Sequence, residues 1–189
     1  MPNWCNNVVE LSHEDSKMIE RAVTAFNKGD FLKEFIPVPE DLRNTQATFG
    51  ESDDVKQARN REKYGYNHWY DFCINEWGTK WDVGGDDFKV ELVEGDKNVS
   101  FSFDSAWAPP TNAYEKLVEL GFTVTGYYYE PGMQFAGIWE DGCDDYYELG
   151  SYENSTVVAE SIPEVLDDMF YISGNMAEWE EEMAEEENE

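Results

Sequence analysis

Residues 101–189 hold 22 aspartates and glutamates and a single base, Lys116. The first hundred residues hold 20 acids and 12 bases, so the net charge of −29 is concentrated in the second half of the chain. Charge at this density opposes compaction. A chain carrying it folds only if its carboxylates stay in water and its apolar residues gather on the buried faces of regular elements. Acidic chains poor in aromatics remain disordered, but this one has 7 Trp, 11 Tyr and 11 Phe. Rings in that number bury enough surface for a core. An ordered domain with an acidic surface and tail is expected. Its field repels nucleic acid and anionic membrane and draws in basic surfaces at long range.

The remaining composition narrows the class. A length of 189 residues suits one domain, or one domain with an insertion. Cys5, Cys73 and Cys143 are far apart and form no CxxC, and two histidines do not complete a zinc spacing. Free thiols in a reducing compartment, with no metal and no cofactor, are expected. No apolar run approaches the roughly 20 residues that span a bilayer. Met1-Pro2-Asn3-Trp4 lacks the basic start and apolar stretch of a signal peptide, so a cytoplasmic location is expected.

Periodicity gives the order of elements. Trp4 to Leu11 reads as a strand centred on Val8 and Val9. Ser12 and Asp15 resemble a capping box before a helix from about Glu14 to Asn27. Residues 31–87 are less regular and hold seven of the thirteen bases, with an exposed helix at 53–63 and a more buried one at 68–77. Phe88–Val93 and Val99–Phe103 alternate cleanly about Glu94-Gly95-Asp96-Lys97 and predict a hairpin. Thr111 caps a helix to Leu120, with Gly121 past its end. Strands follow at 122–129 and 134–139, with a further pairing segment at 146–149. Pro163 opens one helix, and Asn175 with Glu178 opens a last one, whose Met176, Trp179 and Met183 form an apolar stripe that could dock.

The fold class expected is α+β. Strand, helix, strand, strand, helix, strand is the ferredoxin-like split βαβ core. A helical insertion at about 31–87 follows the first helix, and extra strands and acidic helices follow the core. The domain spans 1–150, and 151–189 is an acidic helical extension.

Four strings then look familiar: Met1-Pro2-Asn3-Trp4-Cys5-Asn6-Asn7, Trp77-Gly78-Thr79-Lys80-Trp81-Asp82, Phe103-Asp104-Ser105-Ala106-Trp107-Ala108-Pro109-Pro110, and Tyr129-Glu130-Pro131-Gly132 with Phe135, Gly137 and Trp139. Together, over about residues 1–140, they resemble the YubB-type ferredoxin-like domain family of phage and plasmid proteins. The resemblance implies the ferredoxin-like core, a mobile-element origin and a bacterial host cytoplasm. It carries over no reaction and no catalytic residue.

Two sets of residues are candidates for function. Trp4, Trp77, Lys80, Trp81, Asp82, Asp104 and Trp107 could form a ligand pocket with stacking walls and polar contacts. Against this, tryptophans also pack sheets, and aspartates also cap turns. The second set is acidic: Glu140, Asp141, Asp144, Asp145 and Glu148, then Asp167 and Asp168, then Glu178, Glu180, Glu181, Glu182, Glu185, Glu186 and Glu187. Residues 178–189 contain eight glutamates. As a helix they would carry roughly one charge per 2.3 Å, against one per about 1.7 Å of duplex DNA. His68 is a candidate general base without a nucleophile motif beside it. The carboxylate-rich loops 82–87 and 140–145 fit no calcium loop, and no phosphate-binding glycine loop occurs.

The function expected is that of a non-enzymatic phage or plasmid protein. It would bind and inhibit or redirect a host factor, a defence or nucleic-acid-processing protein, by offering an acidic and nucleic-acid-mimicking surface to a basic one. Direct nucleic-acid or membrane binding is not expected. The alternative is a small-ligand or nucleotide binder, or an enzyme, using the Trp/Asp pocket.

Overall fold

A computed structural model describes residues 2–45 and 54–186, the last by its backbone. Strand β1 (Trp4–Ser12) sits inside the sheet, with Cys5, Asn7, Val9 and Leu11 buried in alternation. It pairs antiparallel with β2 (Asn98–Ala106) on one side and with β3 (Thr123–Glu130) on the other. Strands β2 and β3 are therefore parallel, with β1 between them, and a helix (Thr111–Glu119) connects them. That is the split βαβ unit of a ferredoxin-like core. The sheet continues through β4 (Phe135–Glu140) and β5 (Cys143–Glu148) in the order β2-β1-β3-β4-β5. The fold is α+β, compatible with a ferredoxin-like arrangement through this split βαβ unit, with a helical insertion after the first helix and added strands and acidic helices after β3.

The strand expected at Phe88–Val93 does not form. Residues 86–88 make a 3-10 turn, and pairing resumes only at Asn98. The reason lies 63 residues away, in Asn27. Its Nδ2 donates to the Val90 carbonyl at 2.9 Å, and the Val90 N–H donates to its Oδ1 at 2.8 Å. One carboxamide thus takes both backbone groups that a neighbouring strand would use. Phe88, Val90 and Leu92 still pack against the core. The turn also survives, with Gly95 at φ 91° and the Asp96 N–H on the Val93 carbonyl at 3.1 Å.

One face of the sheet packs on α1 (Ser16–Phe26) and on the β2–β3 connection. Phe26 stacks on Phe101 with ring centroids 4.1 Å apart. Asp15, not Ser12, caps α1 by accepting the Lys17 N–H; Ser12 is spent as the end of β1. The insertion contributes α2 (Phe31–Phe35), α3 (Glu40–Arg43), α4 (Asp54–Tyr64) and α5 (Trp69–Phe72), which runs on as a π-helical turn to Trp77. Phe31, Leu32, Leu42, Phe72, Cys73 and Trp77 join the same core. The polar helix α4 buries only Asn60. In chain order the β2–β3 connection is α6 (Thr111–Glu119), and Gly121 follows it at φ 94°.

The other face carries a second apolar cluster. Tyr129 and Ala136 of the sheet meet Leu149, Val158, Leu166 and Ile172. These come from the chain after β5 and from α7 (Ser155–Ser161), α8 (Glu164–Phe170) and α9 (Ile172–Glu186). Helix α7 is an addition to the expected elements. Asn154 caps it by accepting the Val157 N–H at 3.0 Å. Helix α9 starts before the expected Asn175, because Asp167 accepts the N–H and hydroxyl of Ser173 and holds its first turn. Of its expected docking stripe, Met176 packs on the cluster, whereas Trp179 and Met183 are exposed.

Candidate functional site: an aromatic corner beside an acidic face

The four strings quoted above meet at one corner of the sheet. Asn7, buried on β1, donates to the Cys5 carbonyl at 2.7 Å and to Ser105 Oγ at 2.9 Å. Asn6 donates to Asp104 Oδ1 at 2.8 Å. The Trp107 N–H donates to the Asn3 carbonyl at 2.9 Å. Thr79 donates its hydroxyl to the Ala106 carbonyl at 3.0 Å, which ties the Trp77–Asp82 string to the end of β2. Glu130 accepts the Gly132 and Met133 N–H groups at 2.9 and 2.5 Å. A Cβ at Gly132 would stand 2.7 Å from Asn3 Nδ2, so this turn packs against the start of β1.

The corner presents three indoles. Trp4 is 46 % exposed, and Trp81 and Trp107 are each 40 % exposed. Trp4 and Trp81 have centroids 5.9 Å apart and are tilted by 40°. Lys80 Nζ lies over Trp81 at 4.6 Å, Trp107 at 5.0 Å and Tyr70 at 5.8 Å. These are cation–π distances. Trp107 holds a left-handed backbone, φ 69°, a conformation that costs a bulky residue about 1–3 kcal/mol and persists only where its surroundings enforce it. Beside the row opens a recess of about 340 Å³ with Trp4, Trp81, Asp87, Phe88 and Asp104 in its walls.

Two expected pocket residues have other work. Trp77 is 4 % exposed and donates its Nε1–H to the Ile36 carbonyl at 3.0 Å, so it is a core residue. Asp82 lines the recess, but its oxygens accept the N–H groups of Leu32 at 2.7 Å, Lys33 at 3.0 Å and Val83 at 2.9 Å. It caps α2 from 50 residues away. Burial pushes its carboxyl above the ordinary value, against those three donors. Asp87 and Phe88 of the recess were not anticipated; the Gly-Gly-Asp-Asp run was the available signal. His68 caps α5 by accepting the Asp71 N–H at 3.3 Å.

The acidic set divides in the same way. Glu140, Asp141, Asp145, Glu148, Asp168, Glu178, Glu181, Glu182 and Glu185 are exposed. Asp144 accepts the Tyr128 hydroxyl at 2.6 Å. Asp167 is spent on Ser173. Glu180 accepts the N–H and hydroxyl of Ser155 at 2.7 and 2.8 Å, which fastens α9 to α7. Glu186 is placed by its backbone, and Glu187 lies outside the described residues. Loop 140–145 is a hairpin turn: Asp141 and Gly142 both have positive φ, 50° and 80°, as a two-residue type I′ connection requires.

The indoles and the acidic helices share a side of the sheet, whereas Asp144 and Glu148 of β5 stand opposite Trp139 and Phe135 on the other side. Trp4 and Asn6 alternate with the buried Cys5 and Asn7, and Asn6 stands opposite Asp104 on β2 and Tyr129 on β3. Tyr129 packs on Phe170 of α8, with centroids 6.0 Å apart. Trp4 and Asp104 therefore emerge on the face that the acidic helices cover.

Among the described residues, no three His, Cys, Asp or Glu side chains are grouped to hold a metal ion, and no helix is long and apolar enough to cross a membrane. Cys5, Cys73 and Cys143 are free thiols. No protein-family model and no curated protein matches the sequence. Among solved structures, the chain is similar to protein api92 from Yersinia pseudotuberculosis, family-model DUF1281, at 11 % identity and a TM-score of 0.41. That match covers 78 % of this chain and 98 % of the other.

Proposed function

We propose that the protein is a non-enzymatic binding protein that engages a basic surface of a partner protein through the acidic face formed by α8 and α9 with Glu140 and Asp145 of β4 and β5. The observation that carries the reading is the set of exposed carboxylates on these elements, in a stretch with no base after Lys116. A surface of one sign steers an oppositely charged partner and rejects nucleic acid. Strand β5 is a sheet edge whose acidic side chains discourage pairing with another strand. The resemblance to phage and plasmid proteins supports a bacterial cytoplasmic setting, and the acidic second half of the chain is what motivates a host defence or nucleic-acid-processing factor as partner.

The test is capture from bacterial lysate at low and high salt, with the parent chain and with Gln at Glu178, Glu181, Glu182 and Glu185. Expected is a partner held at low salt, released at high salt and lost by the Gln variant. A partner retained equally under all three conditions would overturn the reading. Of the alternative, a small-ligand or nucleotide-binding protein or enzyme using the Trp/Asp pocket, the nucleotide and other anionic ligands are disfavoured by the recess itself. Its rim carries Asp87 and Asp104, and its third carboxylate, Asp82, is fixed to backbone.

A further inference from the structure

We infer that the recess lined by Trp4, Trp81, Asp87 and Asp104 receives one arginine side chain of the basic partner; this rests on the acidic-face reading and names the group that is recognised. Two of its lining residues are indoles in contact with each other, with centroids 5.9 Å apart and planes tilted by 40°, and each keeps part of its ring open to solvent. Faces of this kind attract cations through the ring quadrupole. The protein already uses this chemistry, because its own Lys80 sits on Trp81 and Trp107 and makes no ion pair among the described residues. Lys80 does not line the recess, so the Trp4 side is left open.

The rim supplies the counter-charge. Asn6 holds Asp104 by Oδ1, which fixes the carboxylate and leaves Oδ2 without a partner among the described residues. Asp87 makes no hydrogen bond or ion pair there. A guanidinium suits this arrangement better than an ammonium. It is planar, weakly hydrated, stacks on indole and meets a carboxylate with two N–H groups. A phosphate would meet two carboxylates and the field of a chain with net charge −29. The acidic helices pack on β3 and β4 on the face from which Trp4 emerges, and the recess lies at the β2 edge, so a partner drawn in by them would reach the recess across β1. Steering would reside in the helices and residence time in the indole pair.

The experiment titrates the ¹⁵N-labelled protein with acetyl-arginine amide, acetyl-lysine amide and neutral acetyl-norleucine amide, following indole Nε1–H signals assigned by single Trp→Phe variants. The arginine probe should shift Trp4 and Trp81 saturably, with a Kd on the order of millimolar. The lysine probe should bind several-fold more weakly, and the norleucine probe should shift neither signal. The double variant Asp87→Asn with Asp104→Asn should lose the response. Gln at Glu181, Glu182 and Glu185 should keep it. Equal shifts with norleucine, an unchanged response in the Asn double variant, or shifts confined to Trp179 would overturn the inference. If salt-sensitive partner capture persists in that case, the acidic-face reading stands without the recess.

Discussion

Replacing Asp82 separates its role as a distant helix cap from any role in ligand contact. Helix α2 begins after Asp30, whose side chain makes no cap bond and instead pairs with Lys33 at 2.5 Å. The N–H groups of Leu32 and Lys33 would be orphans of the first turn without the Asp82 carboxylate. Asp82→Ala removes those two bonds and the one from Val83. A lost cap costs about 1 kcal/mol, and a buried donor left unpaired about 1–3 kcal/mol. Relief of the buried charge offsets part of this, so the expected loss is about 1–3 kcal/mol. Asp82→Asn keeps an oxygen for Leu32 and Val83 and loses only the Lys33 bond, so about 1 kcal/mol is expected. The pH dependence has a definite sign. The folded carboxyl titrates above its ordinary value of 3.8. The folded state therefore holds this proton more tightly than the unfolded chain. The parent loses stability relative to Asp82→Asn as pH rises from 3.8 through the raised folded value, and the difference is flat above it. Urea unfolding followed by circular dichroism between acid and neutral pH measures both effects. An Ala variant within about 0.5 kcal/mol of the parent would refute the cap, whereas a parent that gains on the Asn variant as pH rises would show that the three N–H donors outweigh burial.

Gly84→Ala should destabilise by about 3 kcal/mol or more, since Gly84 has φ 93° and an added Cβ would stand 2.2 Å from the Phe26 carbonyl oxygen; thermal unfolding reads the loss. Trp77→Ala should cost about 3–5 kcal/mol and Trp81→Ala much less, because the first ring fills the core and the second is exposed; equal losses in urea would contradict the division of the tryptophans. Native protein should offer one fast thiol to a disulfide reagent, Cys143, and three after unfolding, because burial pushes the Cys73 thiol up to about 12 and raises that of Cys5 further. Moderate NaCl should raise the melting temperature, since the net charge of −29 repels itself more than the exposed ion pairs attract; a fall would show the pairs dominate.

The sheet was legible because β1, β2 and β3 keep a two-residue alternation that needs no knowledge of their neighbours. Phe88–Val93 shows the limit of that signal. Its alternation is genuine, and Phe88, Val90 and Leu92 do face the core. Pairing is a competition for backbone groups, and Asn27 wins it at Val90. A side chain 63 residues away leaves no local trace. The type I′ turn at Asp141-Gly142 was readable from its two residues and was hidden by its charge, which suggested an ion loop.

The candidate site was legible as residue types and not as roles. Trp77 and Trp81 stand four apart, yet one is core and the other open, because Gly78 at φ 88° ends the π-helical turn between them. Carboxylates divide for a related reason. Asp82, Glu130, Asp167 and Glu180 all accept backbone N–H groups, as Asp15 does at α1, so these acids act as caps and staples. Composition counts these together with Asp87, Asp104 or Glu181. Each carboxylate spent this way lowers the charge free to meet a partner and stiffens the frame that presents the rest. Glu180 fixes α9 on α7 and leaves Glu178, Glu181, Glu182 and Glu185 exposed. Asp82 similarly fixes the loop behind Trp81. If the acidic face binds, neutralising the exposed acids should weaken association without loosening the fold. Glu180→Gln should loosen the docking of α9 before it changes the charge a partner meets.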